Sequence, residues 1–130
     1  MEAGTQAWRT VLSGIWERHP NIRITLGHPG EPMRFKMCRI DKPLPRAGGK
    51  ALGFRDVFTG KLWATISGFF STPALLGCVM GLGVDRIRFA VDWAFVGDSA
   101  AATGWMQAAP LSIDDRNKIF QGNARRLREI

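Results

Sequence analysis

A histidine and a glutamate lie close together in the segment ITLGHPGE, residues 24–31. His28 ends a short apolar run, and Glu31 follows three residues later, across a Pro-Gly turn that can fold the carboxylate back toward the imidazole. A carboxylate bonded to one ring nitrogen fixes the tautomer of a histidine and leaves the other nitrogen for a metal ion or a substrate. The alternative is a histidine bonded to a backbone carbonyl, with Glu31 as an acidic residue at a helix N-terminus.

A second candidate, Asp92, follows the apolar stretch IRFAV. A carboxylate among large apolar side chains suits metal ligation or proton transfer, and the alternative is that Asp92 caps a helix or a turn. Arg39, eleven residues after His28, can reach a carboxylate in the same site or pair with a neighbouring acid. Phe95 and the other aromatic residues near the strand ends would form an apolar wall for an aromatic substrate, or simply pack the end of the fold.

The elements that must position these residues alternate along the chain. Apolar residues at β-strand or helical spacing predict strands over 22–28, 61–68 and 85–92. They predict helices over 6–19, 31–41, 54–58, 71–83, 100–109 and 112–120, with a short final helix after a break near Gly122. Ser71 or Thr72 is the expected N-cap of the helix that contains Pro73. Asn123 is expected to cap or break the last helix.

Strands that alternate with helices of this length indicate βαβ crossovers and a parallel sheet. The strands are nearly continuous in apolar character, as sheets covered on both faces require. His28 and Asp92 end the first and third strands, and Ser67 lies at the end of the second. Because the carboxyl ends of parallel strands form the active-site edge of α/β folds, we expect these three residues to share one edge.

Composition restricts the class of protein. With 130 residues, of which 45% are hydrophobic and 22% charged, the chain fits one domain over residues 1–130. It lacks a signal peptide, an apolar run of the ~18 residues needed to cross a bilayer and a CxxC pattern, so we expect a cytoplasmic protein with free thiols. A net charge of +7 allows an anionic partner, but the basic residues are scattered and no nucleic-acid-binding motif occurs, which argues against nucleic acid.

Four segments together resemble one known family, and they span residues 19–41, 65–76, 83–95 and 109–127. They resemble the C-terminal half of the metal-dependent aromatic acid decarboxylases of the amidohydrolase superfamily, a group that includes 2,3-dihydroxybenzoate and γ-resorcylate decarboxylases. The GHxGE stretch with an arginine eleven residues beyond its histidine, and the strand-terminal VDW.F, carry most of the likeness.

The resemblance implies an α/β fold: the C-terminal half of a (β/α)₈ TIM barrel, about three parallel strands with flanking helices, which would be strands six to eight. The family holds one divalent ion, zinc or manganese. By resemblance His28 is the strand-six histidine and Glu31 its partner. Asp92 is then the strand-eight aspartate that ligates the metal and delivers a proton to the ring carbon. Arg39 and Phe95 would bind the substrate.

The resemblance further implies a carboxy-lyase that removes carbon dioxide from a small aromatic acid of the hydroxybenzoate type. The family's first-strand Glu-x-His pair and its strand-five histidine have no counterpart here, so only Asp92 remains of its metal ligands. We therefore expect little or no turnover by the isolated chain, and a homo-oligomer or association with a missing N-terminal half. The alternatives are a metal-dependent hydrolase of amides, esters or lactones with Asp92 as general base, and a non-catalytic half-barrel that binds a partner subunit.

Overall fold

The computed structural model describes residues 2–28, 53–68, 70–95 and 98–128. In chain order these residues form α1 (Glu2–Leu12), α2 (Ile15–Arg18), β1 (Ile24–Leu26), α3 (Phe54–Lys61), β2 (Leu62–Thr65), α4 (Thr72–Leu82), a 3₁₀ turn (Val84–Arg86), β3 (Ile87–Arg88), α5 (Ser99–Gln107), α6 (Ile113–Asn117), a π-helical turn (Lys118–Gly122) and α7 (Asn123–Arg128). Within these ranges, none of the helices has the length and apolar character needed to cross a bilayer.

The three strands form one parallel sheet in the order β1-β2-β3, as the alternation of elements predicts. Each strand is shorter than predicted. The third is the shortest, because beyond Arg88 the backbone leaves the sheet and Phe89 N–H donates to the carbonyl of Ile119, 2.9 Å away. The chain then reaches Asp92 without further strand pairing in the described sheet.

One face of the sheet packs against the helices. Leu62 belongs to a buried cluster with residues of α1, α2 and α3, and Ile66 and Ile87 belong to a second cluster with residues of α4, α5 and the π-helical turn. Full burial of an aliphatic side chain of this size contributes about 1.5–3 kcal/mol. These two clusters pack the sheet against the helices. A site at the strand ends needs such rigid support, because its side chains must keep fixed positions.

The other face of the sheet carries polar side chains. Thr25 pairs in register with Trp63, and Thr65 with Arg88, and because side chains alternate along a strand all four lie on this face. The Arg88 guanidinium donates to the Thr25 hydroxyl across the sheet. The Thr65 hydroxyl lies 3.0 Å from that of Ser67. Apart from Trp63, this face is therefore polar, and its hydrogen bonds extend to Ser67 just beyond the carboxyl end of β2.

Local capping signals are confirmed where the helices begin. Ser71 occupies the N-cap position of α4 without a side-chain capping bond, Pro73 lies in the first turn, and Gly83 ends the helix. The hydroxyl of Ser112 accepts from the backbone N–H of Asp115, 3.1 Å away, at the start of α6. These interactions involve only neighbouring residues, which is why the sequence alone predicts them.

Two predicted helix boundaries are wrong, and both involve glycine. The continuous helix over 6–19 is interrupted because Gly14 adopts a left-handed conformation (φ 70°), which separates α1 from α2. The expected break near Gly122 is absent, because a π-helical turn carries the chain from α6 directly into α7. The helix predicted over 31–41 lies outside the described residues.

Candidate functional site

Three residues just beyond the strand ends share an unusual backbone conformation. His28, Gly68 and Asp92 have positive φ angles of 58°, 72° and 62°. Positive φ is uncommon outside glycine and costs roughly 1–3 kcal/mol, and such residues concentrate at functional sites. Because one of these residues follows each strand, all three strands end in a left-handed turn at the same edge of the sheet.

The side chains of His28 and Asp92 converge beside Gly68. A Cβ atom on Gly68 would lie 3.4 Å from Oδ2 of Asp92 and 3.5 Å from both Nδ1 and Cε1 of His28. The side chains of both residues therefore approach the same side of Gly68, where the glycine carries only a hydrogen atom. The structure thus brings together the two strand-end residues that the sequence singled out.

The His28 ring is oriented by the backbone of the middle strand. Its Nδ1 lies 2.9 Å from the carbonyl oxygen of Ser67. A carbonyl can only accept, so Nδ1 carries the hydrogen, and in the neutral ring Nε2 holds the lone pair. The sequence left two interpretations of His28 open, a functional group or a histidine bonded to a backbone carbonyl. The structure shows the carbonyl bond, and it also places His28 near Asp92. The carbonyl bond selects the tautomer that a ligand or a base requires.

Asp92 lies in a turn but does not cap the next helix. Its carbonyl accepts from the N–H of Phe95 at 3.0 Å, which closes the turn through the backbone. The N-cap of α5 is Asp98, whose Oδ1 accepts from the N–H of Ala100 at 2.8 Å. The helix-capping alternative for Asp92 is therefore wrong, whereas the turn is present and is closed by the Asp92 backbone carbonyl. The half-buried carboxylate of Asp92 lies beside Gly68 and His28.

The aromatic residues near the strand ends are divided between two environments. Phe70 packs against Trp105 with a ring-centroid distance of 5.7 Å, so it belongs to the packing of α5. Trp93 and Phe95 are 77% and 88% exposed. In the part of the chain that the structure describes, Phe95 is thus a projecting side chain, and its role in substrate binding stays a prediction. Phe69 lies outside the described residues.

The site offers two groups that suit a divalent metal ion. A carboxylate and an imidazole are ligand types of zinc and manganese, so Asp92 and His28 fit part of such a site. No group of three His, Cys, Asp or Glu side chains with metal-binding geometry occurs within residues 2–28, 53–68, 70–95 and 98–128. Glu31 and Arg39 lie outside these ranges, so their predicted roles stay predictions.

The sequence-based reasoning missed Gly68 as part of the site. The signal available in the sequence was the Ser-Gly dipeptide directly after a predicted strand, a pattern typical of a turn with a special backbone conformation. The orienting role of the Ser67 carbonyl had no such signal, because every residue has a carbonyl group. Its role depends only on how the first and second strands pair.

Replacing Gly68 by alanine should disturb this edge. We expect Gly68→Ala to lower the free energy of unfolding by about 1–2 kcal/mol, because the left-handed backbone disfavours a Cβ atom and that atom would touch both site residues. Urea unfolding measures the effect. The control is Gly104→Ala within α5, where a Cβ would meet nothing within 4 Å and which should be neutral or stabilising. Equal stability of Gly68→Ala and the unchanged chain would contradict the described geometry.

Comparison with known proteins gives a consistent result. A family model described as Amidohydrolase (Amidohydro_2) matches residues 1–127. The γ-resorcylate decarboxylase of Rhizobium sp. (strain MTP-10005) is 38% identical over 132 aligned positions, which cover 97% of this chain and 40% of that protein.

Two solved structures match the fold closely. A 2,6-dihydroxybenzoate decarboxylase complexed with 2,6-dihydroxybenzoate has a TM-score of 0.87 and 36% identity, covering 98% of this chain and 40% of that chain. A dihydroxybenzoic acid decarboxylase from Polaromonas sp. JS666, with bound manganese and the inhibitor 2-nitroresorcinol, has a TM-score of 0.87 and 34% identity, covering 97% and 39%. Divalent metal binding is therefore a property of the family.

This chain spans about 40% of the length of the relatives it matches. Its three parallel strands and flanking helices correspond to part of the TIM barrel of these decarboxylases, which confirms the predicted fold class. Because the family model matches almost the whole sequence, the chain belongs to the amidohydrolase family.

Proposed function

We propose that this chain supplies the C-terminal strands of a metal-dependent decarboxylase, a carboxy-lyase that acts on hydroxylated benzoates. The observation that carries the proposal is the convergence of His28 and Asp92 beside Gly68, at the carboxyl ends of the parallel strands. This is the edge at which TIM-barrel enzymes hold their catalytic residues. The named activities of relatives that are 34–38% identical to this chain give independent support.

The proposed reaction needs one proton at one carbon atom. Protonation of the ring carbon that bears the carboxylate interrupts the aromaticity of the ring. The bond between that carbon and the carboxylate then breaks, and its electron pair restores the aromatic ring as carbon dioxide leaves. The products are the hydroxylated benzene and carbon dioxide, and no oxidant or reductant is consumed.

Two side chains of this chain are placed to serve that step. Asp92 is the group that would hold the proton for the ring carbon and would also ligate the metal. His28, with its Nδ1–H bonded to Ser67, presents Nε2 as the atom that can accept or return a proton. Glu31 would partner His28, and Arg39 would order the substrate. When bound at Asp92 and His28, a divalent ion would supply a Lewis acid that polarises the substrate.

The sharpest test completes the barrel around this chain. In a hybrid barrel, residues 1–127 replace the matching segment of the Rhizobium γ-resorcylate decarboxylase. We expect the hybrid barrel to release carbon dioxide from 2,6-dihydroxybenzoate only when manganese or zinc is added. We expect little or no release by the 130-residue chain alone. By resemblance Asp92 alone remains of the family's metal ligands, and even together Asp92 and His28 are too few to hold such an ion tightly. A folded, manganese-loaded hybrid barrel without activity would contradict the proposal.

The hybrid barrel and the isolated chain also distinguish the two alternative functions, a metal-dependent hydrolase and a non-catalytic half-barrel. A metal-activated hydrolase, which the family description favours, would cleave esters or lactones in the hybrid barrel and leave hydroxybenzoates unchanged. A non-catalytic half-barrel would show neither activity. We also propose self-association or association with further strands of the barrel, since the sheet edges of β1 and β3 have no neighbouring strand in the described structure. A cytoplasmic location stays a proposal from the sequence. Light scattering would give the mass of the chain in solution.

A further inference from the structure

A cleft of about 600 Å³ opens at the amino ends of the three strands. Its walls are formed by residues that precede each strand, together with Trp63 of β2 and Arg126 of α7. His28 and Asp92 follow the same strands, so the cleft lies at the end of the sheet opposite the candidate site. Its volume is in the usual range for small-molecule sites. Nothing in the proposed decarboxylation uses it.

The cleft carries an excess of positive charge. Its charged lining residues are Arg23, Lys61, Arg86, Arg126 and Asp85. The Asp85 carboxylate is already shared between two cations, since Oδ1 lies 3.2 Å from Arg126 Nη2 and 3.3 Å from the ammonium group of Lys118. Among the described residues, neither Arg23 nor Arg86 forms an ion pair with a carboxylate. The cleft thus holds more cationic groups than its own acid can neutralise.

The cations are close enough to affect one another. Burial lowers the pKa of the Arg86 guanidinium below its usual value, and the like charges of Arg126 and Arg23 lower it further, against a smaller opposing effect of Asp85. Such repulsion between fixed charges is relieved when an anion binds among them. The electrostatic balance of the cleft therefore favours an anionic ligand.

Arg86 is held in position by an aromatic side chain. Its Cζ lies 4.9 Å from the ring centroid of Trp63, which is only 4% exposed. A cation stacked on a fixed ring loses less conformational freedom on binding than a mobile surface arginine does. Lys61 is also anchored, because its ammonium group donates to the Pro20 carbonyl at 2.9 Å. Part of the cationic lining is therefore preorganised before any ligand arrives.

We propose that this cleft is a binding site for a phosphate group, either free or as a monoester, held chiefly by Arg23 and Arg86. The planar guanidinium group can donate two parallel hydrogen bonds to a phosphate group. A phosphate carries about −1.5 to −2 charges and three acceptor oxygens, so it neutralises more of the excess positive charge than a carboxylate does. Arg126 and Lys61 supply the remaining positive charge. The site is independent of the decarboxylase chemistry and stands even if that proposal fails.

Isothermal titration calorimetry of the full 130-residue chain tests this site. The probes are inorganic phosphate, diphosphate and glycerol 3-phosphate, each at low and at physiological ionic strength. The test variant is the double substitution Arg23→Gln and Arg86→Gln. The control is Arg125→Gln and Arg128→Gln, which removes the same charge from exposed positions of α7 outside the cleft.

We expect saturable binding of at least one probe, weakened about tenfold or more in the cleft variant and little changed in the control. Tighter binding of the monoester than of free phosphate would identify an organic phosphate as the ligand, and the reverse order would identify free phosphate. Absence of saturable binding, or equal losses in both double variants, would overturn the proposal in favour of diffuse attraction by net charge. Should the double variant not fold, the single change Arg23→Gln at an exposed position takes its place, with a loss of about threefold or more expected.

Discussion

Asp92→Asn should reduce kcat of the hybrid barrel for 2,6-dihydroxybenzoate by about 10²–10⁴-fold, the usual loss when a proton-transfer group is removed. The amide has nearly the size of the carboxylate but neither its charge nor its proton. Asparagine is also among the few residues that tolerate a left-handed backbone, so the turn at φ 62° should persist. The substitution therefore removes chemistry from the site while leaving the geometry in place.

Carbon dioxide release and bound manganese, measured on the same preparation, check this prediction. The control is Asp98→Asn at the N-cap of α5, where asparagine caps a helix as well as aspartate does and activity should stay within about twofold. If Asp92→Asn keeps its metal and loses less than about tenfold in kcat, the carboxylate does not take part in the proton transfer as proposed.

Asn123→Ala should lower the free energy of unfolding by about 2–4 kcal/mol, the cost of leaving buried polar groups without partners. Asn123 is completely buried, and its Nδ2 donates to the carbonyls of Val84 and Ile87 at 2.8 and 2.7 Å. Its Oδ1 accepts from Arg126 at 3.2 Å. The side chain thus ties α7 to the segment that enters β3. Alanine would remove the donor from the buried Ile87 carbonyl, whereas the half-buried Val84 carbonyl would still accept from the N–H of Ile87.

Urea unfolding followed by circular dichroism measures the loss. Asn117→Ala is the matched control, because Asn117 is exposed in the neighbouring helix α6 and its replacement should change stability by no more than about 0.5 kcal/mol. An unfolding free energy of Asn123→Ala within about 1 kcal/mol of the unchanged chain would show that the buried amide is not the anchor described.

The sequence predicts those parts of the fold that depend on local or periodic signals. Alternating apolar segments predict the parallel sheet, and the local patterns Ser71-Thr-Pro and Ser112 predict helix starts, of which only the Ser112 hydroxyl forms a capping bond. Glycine is a less consistent signal, although Gly83 ends α4 where the sequence predicts. Gly14 interrupts a helix and Gly122 does not, because in the second case the amide of Asn123 and the packing of Ile119 hold the chain in place.

The sequence also predicts only part of the candidate site, because some of its interactions join residues far apart in the chain. The rule that active sites lie at the carboxyl ends of parallel strands correctly brings His28 and Asp92 to one edge. The bond from the His28 imidazole to the Ser67 carbonyl joins residues 39 positions apart, which no local pattern encodes. The left-handed backbones of His28 and Asp92 were not predicted either. Asn123 was expected to be a cap, and its buried bonds to β3 are equally remote in sequence.

The imidazole of His28 and the carboxylate of Asp92 should act together at one site. Measurement of kcat/KM for His28→Asn, Asp92→Asn and the double variant in the hybrid barrel tests it most directly, since asparagine tolerates both positive φ angles. We expect the double variant to be about as slow as the slower single variant, because groups that serve one step are not independent. Losses that multiply in the double variant would instead show that the two residues act separately.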